Sequence, residues 1–417
     1  MRKEMKIFLL VLALTALGLG FSNDIISNFF KDAYRVSAYQ RGFIEFPREL
    51  PGMLCILAIS LLSFLSDIRI ALLAQLLSFS GIVVLGLATP SFAVMLAFIF
   101  VNSLGMHLFF PLQDSIGLAL IQDGRMGKRM GQFKGVSTAF QMVAAALVFI
   151  GFRSGVFSFE RRVKWPFLAA GAIFLAVFAL LWYLNRLLRN PKTHHTRGRL
   201  VVRREYRYYY TLVTMFGVQK QIMMVYGPWM LIDLLDKKAD TIAFLSIIGG
   251  AIGMFFIPAL GRWLDRFGIK AMLYADAISF IGVYLLYGLL SAGFVSGALP
   301  QVGVPLFLAY VIFILDRMST QMGLVRTVYL RTIAISPADI TPNLSLGLSL
   351  DHTVSIVCAY LGGMVWVSWG PQYIFFLAAA LSLVNLYVAV RVQLPPASAA
   401  RPQPTLVEEL AIARSDD

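Results

Sequence analysis

Residues Gly261-Arg262-Trp263-Leu264-Asp265-Arg266-Phe267-Gly268-Ile269-Lys270 lie between two long apolar runs, at about 240–260 and 269–292. Each run has about the length that carries a helix across a bilayer. Gly268 permits a tight reversal, while Asp265 and the neighbouring cations can bond helix ends across it. The stretch therefore predicts two spanning helices joined by a short charged turn.

The same pattern repeats along the 417-residue chain. Apolar segments fall at about 6–30, 42–65, 69–88, 91–121, 133–153 and 165–187, then at 208–232, 240–260, 269–292, 304–330, 343–366 and 372–392. The polar stretch Asn185–Arg207, with Pro191 and many cations, divides them six and six. The expected fold class is an all-α membrane protein with twelve transmembrane helices in two pseudo-symmetric six-helix bundles. The bundles are placed at 1–187 and 208–393, a cytoplasmic linker at 188–207 and a mobile cytoplasmic tail at 394–417. The opening MRKEMK leads into the first apolar run without a small-residue cleavage site, so a retained first helix is expected.

Hydrophobic residues make up 59% of the chain, charged residues 14%, and the mean hydropathy is +0.75. That composition excludes a soluble enzyme, a disordered chain and a collagen-like fibre. Long apolar blocks exclude an outer-membrane barrel, whose strands alternate. The net charge of +14 would suggest nucleic acid in a soluble protein, but here the cations cluster in alternate loops. With the N-terminus in the cytoplasm, 23 of the 36 Lys and Arg lie in cytoplasmic segments and nine in outer loops. Both termini are therefore placed in the cytoplasm, and the localisation is a multi-pass protein of the cytoplasmic membrane. Cys55 and Cys358 lie inside apolar runs and form no disulfide framework. Asp24 precedes Asp67 by nearly the interval that separates Lys220 from Asp265, so the halves read as distant repeats. Such repeats are a transporter signature, with the solute site between them near mid-membrane.

The 261–270 loop resembles the G-x-x-x-D-R-x-G-x-[RK] loop of the major facilitator superfamily. Ser66-Asp67-Ile68-Arg69 is its shortened counterpart in the first half. Gly105 and Pro111 fit the small-residue pattern of the family's fourth helix, although Ile99 stands near the place of its frequent arginine. The fifth segment, GVSTAFQMVAAALVFIG, lacks the Gly-Pro signature of the family's drug/proton antiporters. The resemblance, from about Lys6 to Arg391, implies the fold and alternating access but no substrate. It implies a cytoplasmic gate at Asp67, Arg69, Gly261, Asp265, Arg266, Gly268 and Lys270. It also implies a cavity lined by the first, fourth, seventh and tenth helices, which here carry Asp24, Asp114, Lys220 and Asp316/Arg317.

Charges inside a bilayer are costly and normally face a cavity or one another. Asp24 is a cavity candidate, with an interfacial position as the alternative. Glu45, Arg48 and Glu49 share one helix face by their spacing and read as an outer gate, a solvated rim or a substrate contact. His107 and Asp114 lie two turns apart, and His107 is a proton-relay or packing histidine. Lys220 lies too deep to reach water easily and needs a carboxylate or an anionic ligand; Asp316 is the expected partner, leaving Arg317 to hold a carboxylate or phosphate. Asp351 and His352 complete the substrate and proton pathway, with helix packing as their alternative. Arg326 is expected near the cytoplasm, and Asp276 bracing the cytoplasmic loop.

The function expected is secondary active transport of a small polar or charged solute, with proton-coupled uptake. The rivals are a proton-driven exporter of drugs or lipids and a non-transporting receptor or assembly factor with the same fold. No metal-ligand spacing, phosphate loop or nucleophile elbow is present, so neither an enzyme nor a metal nor another cofactor is expected. His194-His195 reads as a solvated linker pair. The expected partners are a small-molecule substrate, protons and the lipid bilayer, without nucleic acid, and the expected state is a monomer.

Overall fold

The computed structural model describes residues 3–394 except 24, 63, 122–125, 189–201 and 337–338. Asp24, His194-His195, most of the predicted linker and the tail from 395 lie outside the described residues. Every regular element described is helical. The first half holds α1 (Lys3–Gly20), α2 (Ile26–Tyr34), α3 (Ala38–Leu61), α4 (Asp67–Leu87), α5 (Phe92–Leu120), α6 (Met126–Arg153) and α7 (Trp165–Leu187). The second holds α8 (Arg207–Gln221), α9 (Gly227–Trp229), α10 (Ala239–Val295), α11 (Val304–Gln321), α12 (Leu324–Ile333), α13 (Ile340–Ser368) and α14 (Pro371–Arg391).

Among the described residues, eight helices are long and apolar enough to cross a membrane. One of them, α10, is two arms that meet at Gly268, whose φ of 78° and ψ of 166° are open to glycine and almost nothing else. This is the reversal that the 261–270 stretch predicts. The outer face is apolar, with Phe64 79% and Phe255 78% exposed, as a lipid-facing surface requires.

Three predicted segments are broken where continuous helices were expected. The first divides into α1, ending at Gly20, and α2, beginning at Ile26. In the seventh, α8 runs into π-helical turns at Ile222–Tyr226 and Met230–Leu234, with α9 between them. The tenth divides into α11 and α12 at Met322–Gly323. Each break frees backbone groups that must find partners inside protein or a wet cavity, so breaks mark functional depth in a membrane bundle.

Within the first half α4 packs on α5 and α7, and α1 on α6 and α7; within the second, α10 packs on α14 and α11, and α8 on α13. The halves meet where α3 lies along α13 and α6 along α10. Glycines allow the α3–α13 approach. A Cβ on Gly42 would run into the Ala359 carbonyl oxygen, and one on Gly363 would stand 2.7 Å from that of Ala38. Small residues of this kind are how membrane helices gain close contact.

Candidate solute and coupling site

Lys220 sits in the last turn of α8, one step before the first π turn. Its ammonium lies 2.6 Å from the Asp351 carboxylate of α13 and 3.8 Å from Glu49 of α3. Glu49 also receives a hydrogen bond from His352 Nδ1 at 2.7 Å. The His352 ring stands edge-on to His107 of α5, with centroids 5.0 Å apart. His107 Nδ1 lies 2.9 Å from the Ser103 carbonyl oxygen, and the Ser103 hydroxyl donates to the Arg48 carbonyl. Glu49, Asp351 and His352 are buried, and the Lys220 side chain is 16% exposed. Four helices from both predicted halves thus converge on one small group of opposite charges.

Next to this group on α3, Glu45 pairs with both Arg41 and Arg48. Arg41 is fully buried, also bonds the Ser27 hydroxyl, and lies 5.5 Å over the Phe30 ring. Pro47 and Pro51 interrupt the α3 backbone ladder through this stretch. Gly52 leaves room for the His352 ring, since a Cβ there would stand 2.5 Å from it.

Several expectations are corrected by this geometry. Lys220 does not pair with Asp316: α8 lies along α13, so Asp351 and Glu49 face the ammonium instead. Asp316 is buried beside Tyr284 and Tyr287 instead. Arg317 stacks on Phe313 at 4.9 Å, with its stem near Gly249 of α10. Glu45, Arg48 and Glu49 are not a solvated rim, because Glu45 is 1% and Glu49 7% exposed. Arg326 is buried, bonded to Asp276 at 2.8 Å and Gln219 at 3.3 Å, and lies 4.3 Å over Phe216. Asp276 accordingly braces α12 instead of the 261–270 loop. Asp114 is exposed and two turns from the cluster that takes up His107.

Sequence reasoning missed Arg41, which stands one residue before the second apolar segment. Its spacing of four from Glu45 was the available signal. It also missed how the Lys31 end of the bundle is sealed. Lys31 pairs with Asp233, Asn28 donates to the Lys237 carbonyl at 3.3 Å, and Tyr39 and Tyr360 hydroxyls meet at 3.1 Å. Toward the other end, Asp265, Arg266 and Lys270 are exposed, and buried Asp67 accepts a hydrogen bond from Ser115.

The model of the Major Facilitator Superfamily matches residues 8–337 of this sequence. The chain belongs to the major facilitator superfamily. It is a multi-pass membrane transporter and not an enzyme. The fold is also that of solved transporters at low identity. A peptide transporter of the POT family, in an auto-inhibited state, has a TM-score of 0.71 at 13% identity, covering 97% of this chain and 99% of its own. The nucleoside transporter NupG has a TM-score of 0.72 at 11% identity, covering 94% and 100%. A D-xylose-proton symporter has a TM-score of 0.69 at 15% identity, covering 95% and 99%. A search of the curated proteins finds no match.

Proposed function

We propose that this superfamily member is a secondary active transporter that takes up a small solute bearing an anionic group, coupled to protons, by alternating access. The observation that carries the reading is the buried contact of Lys220 with Asp351 and Glu49 between the halves. An incoming carboxylate or phosphate competes with Asp351 for Lys220. The displaced Asp351 carboxylate, left buried without its counter-charge, takes up a proton, so solute and proton load together. Glu49–His352 and His107 supply the next proton-carrying groups. The structural likeness to a D-xylose-proton symporter favours the symport reading.

In this reading the halves are six-helix bundles at 1–187 and 208–393, the chain is a monomer, and both termini and the linker face the cytoplasm of the inner or plasma membrane. The described state is then closed outside by Lys31–Asp233 and the Tyr39–Tyr360 contact. Asp67, Arg69 and the 261–270 loop act on the cytoplasmic gate, and Asp114 lies on the inward route. Asp316, beside Tyr284 and Tyr287, and Arg317, over Phe313, are further polar groups of the pathway that do not pair with Lys220.

Uptake by proteoliposomes against a mixed metabolite pool, with and without an imposed pH gradient, tests the reading. Accumulation of an anionic solute that rises with an inward proton gradient is expected. Accumulation indifferent to that gradient contradicts proton coupling, and uptake confined to neutral or cationic solutes contradicts the role given to Lys220.

A further inference from the structure

Glu49, His107 and His352 come from three helices distant in sequence, so no ligand spacing announced them. Their donor atoms, one from each residue, all lie within 4.8 Å of one another. A four-coordinate ion with bonds near 2.1 Å needs donors roughly 3.4 Å apart. Small side-chain rotations of the three residues would close that gap, and the missing side chain at Gly52 lets the His352 ring lie against α3, next to Glu49.

The surroundings favour a metal further. The Ser103 carbonyl can only accept, so His107 Nδ1 carries a hydrogen and Nε2 is the nitrogen left to ligate. An imidazole held in this way by a backbone carbonyl is the usual outer arrangement of a metal-binding histidine. Lys220, the cation nearest Glu49, already has Asp351 at 2.6 Å to balance it. Glu49, 3.8 Å from that ammonium and 2.7 Å from His352 Nδ1, would exchange these contacts for the ion.

We infer that Glu49, His107 and His352 bind one divalent transition-metal ion of the Zn²⁺, Co²⁺ or Cu²⁺ kind. Two imidazoles with one carboxylate select such ions over Ca²⁺ and Mg²⁺, which prefer all-oxygen sites. Three protein donors leave a coordination position open, as in sites where a further ligand binds or the ion exchanges. That position lies beside Lys220, where an anionic solute could bridge ammonium and metal. The inference rests on the proposed solute site and gives Glu49, His107 and His352 to the ion in place of carrying protons, while Asp351 keeps its role; its test is equilibrium binding, so a negative result leaves the transport reading standing.

The chain has four histidines, and the other two are His194 and His195. Tag-free protein carrying H194A and H195A should bind one Zn²⁺ per chain by titration calorimetry. Excess Ca²⁺ should not displace it. The further changes His107→Gln and His352→Gln should each weaken binding by about tenfold or more, with unchanged elution and melting temperature. Absent binding, or binding unaffected by both changes, overturns the inference. Should those variants misfold, the Cu²⁺ electron paramagnetic resonance spectrum of the H194A/H195A protein decides. Hyperfine coupling to two imidazole nitrogens is expected, and its absence overturns the site.

Discussion

Lys220 is held by attraction to two carboxylates on two other helices, in a place where water can pay little of its solvation. A buried pair of this kind contributes little net stability when intact, yet removing one partner typically costs about 3–5 kcal/mol. Asp351→Asn should therefore lower the melting temperature clearly, whereas Lys220→Met with Asp351→Asn should restore most of the loss. Equal loss from the single and the double change would mean that the two side chains are not coupled. Asp339 offers a test outside the membrane. Burial pushes its carboxyl up, but hydrogen bonds from Tyr206 at 2.7 Å and Arg203 at 2.8 Å outweigh this and hold it below the usual carboxylate range. A depressed carboxylate stabilises above its unfolded value, near 3.8, and that contribution fades as pH falls through the lower folded value. The melting difference between parent and Asp339→Asn should be constant from pH 7 to pH 5 and shrink below about pH 4. A difference that already vanishes at pH 5 contradicts the assignment. At this scale the sequence revealed that Lys220 needed a buried counter-charge, because an unpaired ammonium there is too costly. It did not reveal which one. Asp316 and Asp351 satisfy the same requirement, and only the packing of α8 against α13 decides between them.

At the scale of elements, Gly268 and the α3–α13 contact carry different expectations. Gly268→Ala forces a side chain into a glycine-only conformation at a cost of about 1–3 kcal/mol, while leaving open space around it. It should lower stability and slow transport without altering the solute preferred, as should Asp265→Asn for transport rate alone; a changed preference in either would contradict a gating role. Gly52→Ala drives a methyl group into the His352 ring. It should disturb the Glu49–His352 bond and reduce coupled uptake at least tenfold, with a smaller effect on downhill exchange; unchanged coupling would remove His352 from the pathway. The turn at Gly268 was legible because a glycine with flanking charges between two apolar runs has one economical conformation. The breaks between α1 and α2, at 222–234 and at 322–323 were not legible. Hydropathy registers that these stretches are apolar, while the loss of helical bonds is compensated by tertiary partners that no local pattern records.

For the whole molecule, composition and the spacing of apolar runs sufficed to read a helical membrane bundle, because a bilayer permits few other solutions. The placement of Glu49 was beyond such reading: position along a continuous helix separates rim from interior far less sharply than a turn separates two helices, and α3 already enters the bundle interior at Arg41. The proposed orientation predicts that a cysteine placed in the 188–207 linker reacts with impermeant reagent only from the cytoplasmic side; labelling only from outside would reverse the topology. The central claim is that Lys220 and its carboxylates between the halves are the solute site. Its most direct test is concentrative uptake by proteoliposomes containing the Lys220→Met, Asp351→Asn variant, for the solute the parent accumulates. The account predicts a folded protein with a melting temperature near the parent's and no accumulation above background, whereas normal accumulation would contradict it.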